Sequence, residues 1–138
     1  MRTIETLIEE RTPLDSVEYE RDEHQVWRTR LRFGDATFVI GVDEDTDAIM
    51  LSEQAAPRDP IADVSNKSPW RLATGKPLFS VWRMTNDKGA DDGLQLSFAE
   101  TARDAPTIIQ LIAIGSALHV FLVQRTDSIE SNRSARRL

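Results

Sequence analysis

A chain of 138 residues has room for one hydrophobic core and hence one domain, and 40% apolar with 29% charged residues is the balance of a folding chain, not a disordered one. The absence of cysteine excludes disulfides, thiolate metal sites and cysteine nucleophiles. A net charge of −6, with eight acidic residues between positions 35 and 63 against Arg58 alone, repels nucleic acid, and the four basic residues of 64–85 are too sparse to form a phosphate-binding stripe.

The N-terminus MRTIETLIEER is charged throughout and lacks the apolar centre of a secretory leader, so a cytoplasmic protein is expected. Within it Ile4, Leu7 and Ile8 recur at helical spacing, Thr3 is suited to cap the helix and Pro13 stops it, which predicts one short amphipathic helix. From Leu14 the period changes to two. SVEYER, QVWRTRLRF, ATFVIGV and AIMLSE read as four strands of an antiparallel meander, joined by RDEH, Gly34-Asp35 and DEDTD, with a slip of phase near Trp27 that marks a bulge.

QAAPRDPIADVSNKSP, with three prolines and no period, is expected to be a long surface loop. KPLFSVWRMT and GLQLSF then alternate on either side of NDKGADDG. The apolar run TIIQLIAIGSALHVFLV is too interrupted and short for a bilayer span, which needs ~20 apolar residues, and supplies the most buried strands. Gly115-Ser116 is either a hairpin turn, giving eight strands, or a bulge, giving seven. The expected fold is α+β, mostly antiparallel β, with one N-terminal helix packed on a curved seven- to eight-stranded meander or half-barrel. It occupies residues 1–125 as a single domain, and 126–138 form a disordered tail.

Few residues suggest chemistry. Asp43, Asp45 and Asp47 have the alternate spacing that opens a calcium loop, but Ala48 and Gln54 stand where such a loop needs glycine and glutamate, so DEDTD reads as a solvated hairpin tip. NDKGADDG is likewise expected to be a turn: Gly89 and Gly93 supply positive φ, Asn86 caps it, and Asp92 accepts backbone donors. His24 and His119 lack any neighbour in sequence that would orient a catalytic imidazole, and His119 is expected to be a satisfied buried or edge residue on the same strand face as Phe121. No nucleophile elbow, phosphate loop or paired-histidine motif occurs. Trp70-Arg71 and Trp82-Arg83 pair an indole with a guanidinium, as binding hot spots do. Alternation places Trp82 in the core with Arg83 outward, whereas Trp70, beside Pro69 at the end of the long loop, is expected to be partly exposed.

The stretch GKPLFSVWRMTNDKGADDGLQLSF, continued by IIQLIAIGSALHVFLV, resembles a small bacterial domain family of unknown function. The resemblance spans Gly75 to Val123 and rests on Gly75, Pro77, Trp82, Thr85, Asn86, Gly89, Asp92, Gln95, Phe98 and Ser116. Members of that family often carry a glutamine and an aromatic residue beside the glycine matched by Gly89; here Lys88 and Ala90 stand in those places. The resemblance implies a fold and brings no activity.

Small size, acidity, the absence of a catalytic constellation and a long loop carrying a tryptophan together point to a non-catalytic binding protein. The expected form is a bacterial immunity or antitoxin-like inhibitor that meets a basic toxin through electrostatic steering. The partner-binding residues would be Asp43, Glu44, Asp45, Asp47, Trp70 and Arg71, with no cofactor or metal, no nucleic acid and no membrane. The alternatives are a small-ligand domain whose pocket is lined by Trp and Arg, and a homodimer that pairs the C-terminal strand across a two-fold axis.

Overall fold

The computed structural model describes residues 3–22, 25–43, 45–46, 48–53, 61–115 and 117–124. Helix α1 spans Ile4–Glu10, with Thr3 as N-cap accepting the Thr6 N–H at 3.1 Å. It ends as Arg11 turns left-handed (φ 55) and returns its N–H to Ile8, two residues before Pro13. Leu7 is the residue that α1 buries completely.

Strands β1 (Ser16–Arg21), β2 (Val26–Phe33), β3 (Ala36–Val42) and β4 (Ile49–Glu53) form the expected antiparallel meander. Glu20 lies opposite Arg28 and Arg21 opposite Val26, so Trp27 is the extra residue of a bulge, as the slipped phase predicts. The β2–β3 turn uses Gly34 at φ 60, and its N–H is held by the Asp15 carboxylate at 2.7 Å. The proline-rich segment departs from expectation. Ile61–Asp63 is a strand, β5, paired with β1 through Tyr19 opposite Ala62. No period could have shown this, because three residues are too few to carry one. Beyond it Ser65 extends the pairing by side chain: its hydroxyl accepts the Val17 N–H at 2.8 Å.

The second half of the sheet comprises β6 (Leu78–Thr85), β7 (Asp91–Phe98), β8 (Thr107–Ile114) and β9 (Ala117–Gln124). Ile114 pairs with Ala117 and Gly115 has φ 62, so β8 and β9 form a hairpin, the eight-strand alternative, while Ser116 lies outside the described residues. One path of strands runs β4-β3-β2-β9-β8-β7-β6, with β9 joining β2 through Val26 and Leu118, and with β1 and β5 off that path. Apolar side chains of both halves converge on one cluster that includes Leu31, Phe38, Ile40, Leu94, Phe98 and Leu111, so the sheet must curl around it. Phe33 and Phe38 meet edge to face there, their centroids 6.3 Å apart. Each fully buried Leu, Ile or Phe contributes roughly 1.5–3 kcal/mol of transfer free energy. The result is an α+β half-barrel in which α1 lies over the open side, beside β4 and β6. None of the described helices is long and apolar enough to cross a membrane.

Candidate interaction surface

In the octapeptide NDKGADDG, Asn86 to Ala90 form the expected turn and Asp91 to Gly93 begin β7. The Asn86 amide oxygen accepts the N–H groups of Lys88 and Ala90 at 2.9 and 3.1 Å, and Gly89 sits at φ 83. Asp92 accepts the Asn86 amide at 3.3 Å, a side-chain donor where backbone donors were expected. Gly93 does not supply positive φ: it lies buried in β7, where a Cβ would stand 2.9 Å from Ile112 Cδ1 and 3.2 Å from Met84. Its lack of a side chain serves close approach.

The described residues expected to bind a partner stand in different settings. Asp43 caps its own turn, its Oδ1 accepting the N–H groups of Asp45 at 2.8 Å and Thr46 at 3.3 Å. Asp45 is exposed, while Glu44 and Asp47 lie outside the described residues. The partial exposure expected of Trp70 is overturned, since Trp70 is 0% exposed and belongs to the hydrophobic core. A short 3-10 turn, Trp70–Leu72, directs the indole inward, where Nε1 donates to the Tyr19 hydroxyl at 2.6 Å. Thr74 ties the same turn by donating to the carbonyls of Ser65 and Trp70. Arg71 points to solvent and shares no surface with that indole. Burial raises the Tyr19 phenol above its ordinary value, against the opposing pull of the indole hydrogen bond and of Arg21.

Trp82 reverses in the other direction. Expected in the core, it is 63% exposed. The cause is a bulge. Leu78 lies opposite Phe98 and Ser80 opposite Ser97, so Phe79 is an extra residue that shifts the alternation by one. Leu78 and Val81 then face the core, and Trp82 faces out.

Register places Trp82 in a row that crosses four strands. Trp82 lies opposite Gln95, Gln95 opposite Gln110, and Gln110 opposite Phe121. The two glutamines join by Gln110 Nε2 donating to Gln95 Oε1 at 2.8 Å, and Phe121 is 47% exposed. The next row is Met84, Gly93, Ile112 and His119, and Ile114, 55% exposed, lies beyond it. His119 shares the face of Phe121 as alternation predicts, but it is exposed, not buried. These rows carry no Asp, Glu, Lys or Arg, although 29% of the chain is charged. The pattern TIIQLIAI of β8 explains the face: it is apolar on both sides, as strands covered on both sides are. Its inner side, including Ile109 and Leu111, is fully buried, whereas its outer side holds Ile112 and Ile114. That two-sided pattern was the signal by which Gln110 and Phe121 could have been found in the sequence.

A concavity of about 560 Å³ lies between α1, β4 and β6, with Ile4, Ile8, Phe38, Leu51, Val81 and Arg83 in its walls. It meets the small-ligand expectation in having an arginine, but no tryptophan lines it. On the outer side of the meander, the buried carboxylate of Glu20 lies 3.3 Å from Arg30 Nη1 and 3.8 Å from Arg28 Nη1, an ion cluster that neutralises a charge at the β1–β2 pairing. No group of His, Cys, Asp or Glu that could hold a metal ion occurs among the described residues.

The described residues thus form a curled antiparallel sheet with one α-helix and an outer face on β6–β9 that carries Trp82 and Phe121. The model of a family of unknown function, DUF6334, matches residues 2–127, and the chain belongs to that family. No curated protein and no solved structure matches it.

Proposed function

We propose that the protein is a non-catalytic, single-domain binding protein that works by holding another polypeptide against the outer face of β6–β9. The observation that carries this reading is the mismatch on β8 and β9, which are apolar on both sides but covered on one, with Trp82 standing 63% exposed on β6 in the same row as Phe121. Tryptophan and phenylalanine on a neutral sheet face supply the desolvated centre of an interface, and the surrounding charges supply its rim. The narrower reading, an acidic inhibitor that neutralises a basic bacterial toxin in the cytoplasm, draws on a different part of the surface. Its support is the stretch 35–63 with its charge of −7, of which Asp43 and Asp45 stand at the β3–β4 turn.

The test is a comparison of the wild type with a Trp82→Thr/Phe121→Thr variant, both as bait against the lysate of the source organism and as a mixture with tagged wild type. Both side chains are exposed, so melting temperatures should agree within a few degrees. A partner held by wild type and released by the variant is expected. Equal retention of every partner by both would end the reading.

A further inference from the structure

Building on the contact reading of the β6–β9 face, we infer that the polypeptide held there is a second copy of this chain, in a two-fold dimer whose axis runs parallel to the strands between Gln95 and Gln110. The row itself is self-complementary. Trp82 and Phe121 stand at its ends with the hydrogen-bonded glutamines in the middle. Neighbouring strands are about 4.8 Å apart, so the two aromatic positions are separated by roughly 14 Å. Rotation by half a turn about the stated axis lays each Trp82 over the partner's Phe121 and each Gln95 over the partner's Gln110. The same operation brings Met84 to the partner's His119 and Ile112, which with Met84 closes over Gly93, to the partner's Gly93, so the second row meets its partner through uncharged side chains. Strand directions in the two stacked sheets then agree, which is the aligned geometry that twisted sheets adopt face to face.

Charge selects a second copy over a partner of opposite sign. Each chain carries −6, so two copies approach favourably only through a surface that brings no ionised group to the contact. The outer rows of β6–β9 are such a surface, and a basic partner would gain no charge pairing there. Area agrees with this choice. Four strands of eight residues cover about 19 Å by 26 Å, or roughly 500 Å² in plan. Side-chain relief brings that close to the ~800 Å² per partner of a standard interface. A dimer of this form leaves the β3–β4 turn uncovered on both copies, so it does not compete with an acidic inhibitor's own contact. The axis differs from that of the homodimer expected from the sequence, because β9 lies between β2 and β8 on the strand path and pairs through its face here.

The experiment is sedimentation equilibrium over a concentration series on wild type, Trp82→Thr, Gln95→Lys, Gln110→Glu, and an equimolar mixture of the last two, with a thermal melt of each to show that it is folded. Wild type should dimerise, and Trp82→Thr should raise the dissociation constant at least about 30-fold. Each glutamine variant alone should be monomeric, since it would bury an unpaired charge. Their mixture should recover dimers, because the two-fold operation sets the introduced ammonium of one chain over the introduced carboxylate of the other. Folded single variants whose mixture stays monomeric would overturn the axis. A wild type that stays monomeric throughout would overturn the dimer; if acrylamide then quenches Trp82 freely, the face remains open for a different protein and the contact reading survives. A monomer whose Trp82 is shielded would mean that the chain covers this face with its own residues, and both readings would fall.

Discussion

Replacing Trp70 by phenylalanine separates a core role from a binding role for this residue. The indole is 0% exposed and donates to Tyr19 Oη at 2.6 Å. Phenylalanine keeps one ring, removes the donor and leaves roughly 40 Å³ unfilled, which at ~24 cal/mol per Å³ costs about 1 kcal/mol. The lost hydrogen bond adds about 1 kcal/mol, so the total is ~2 kcal/mol. For a domain of this size each kcal/mol lowers the melting temperature by about 4 °C, and the expected fall is therefore ~8 °C by circular dichroism or calorimetry. Trp70→Ala should cost about 3–5 kcal/mol, a large share of the ~5–15 kcal/mol that holds a domain folded. Tyr19→Phe, made alone and together with Trp70→Phe, closes a double-mutant cycle whose coupling should be about 1 kcal/mol. A Trp70→Phe variant that melts within ~2 °C of wild type, with no coupling to Tyr19, would refute the account of Trp70 as the anchor of the 61–77 segment.

Tyr19 is the chain's only tyrosine, so its ionisation can be followed directly by ultraviolet absorbance. Its folded pKa is raised above 10.0, first by burial, so the folded state keeps the proton longer than the unfolded chain; the resulting stability is complete below pH 10.0 and is lost as pH rises through the folded value. Tyr19→Phe should remove that part of the alkaline loss of stability, and an unchanged alkaline profile would contradict it. Asn86→Ala, which removes the acceptor of the Lys88 and Ala90 N–H groups, should cost about 1 kcal/mol in a denaturant titration. Neither calcium nor magnesium should change the melting temperature of either form, since a cation-dependent rise lost in Asp91→Ala would make the turn a metal loop. Asp43→Ala should cost about 1 kcal/mol by losing the cap that accepts from Asp45 and Thr46, whereas Asp43→Asn, which keeps an acceptor oxygen, should leave stability within ~0.5 kcal/mol. Gly93→Ala should destabilise by about 1–2 kcal/mol, because its Cβ would meet Ile112 and Met84 inside 3.3 Å; an unchanged denaturation midpoint would show that Ile112 swings away freely.

The sequence by itself determined what is settled over a few residues. Thr3 and Pro13 bound the helix, the alternation of β1–β4 and β6–β9 defined seven or eight strands with the choice left open at Gly115-Ser116, the slip at Trp27 marked a bulge, and Asn86 with Gly89 defined a turn. In each case the cause is a neighbour's backbone or a fixed side-chain period, and both are written in order along the chain. Tertiary structure decided which side of each strand meets the core and which tryptophan is free. The proline-rich segment docks because Ser65 pairs with Val17, 48 residues away, and Trp70 with Tyr19, 51 residues away. Partners at that distance leave no local mark. The bulge at Phe79 then turned Trp82 outward, since one added residue reverses every following side chain. Whether the apolar outer side of β8 would be covered was likewise undecided by its residues, because a strand encodes how apolar its two faces are and the fold determines what lies against them.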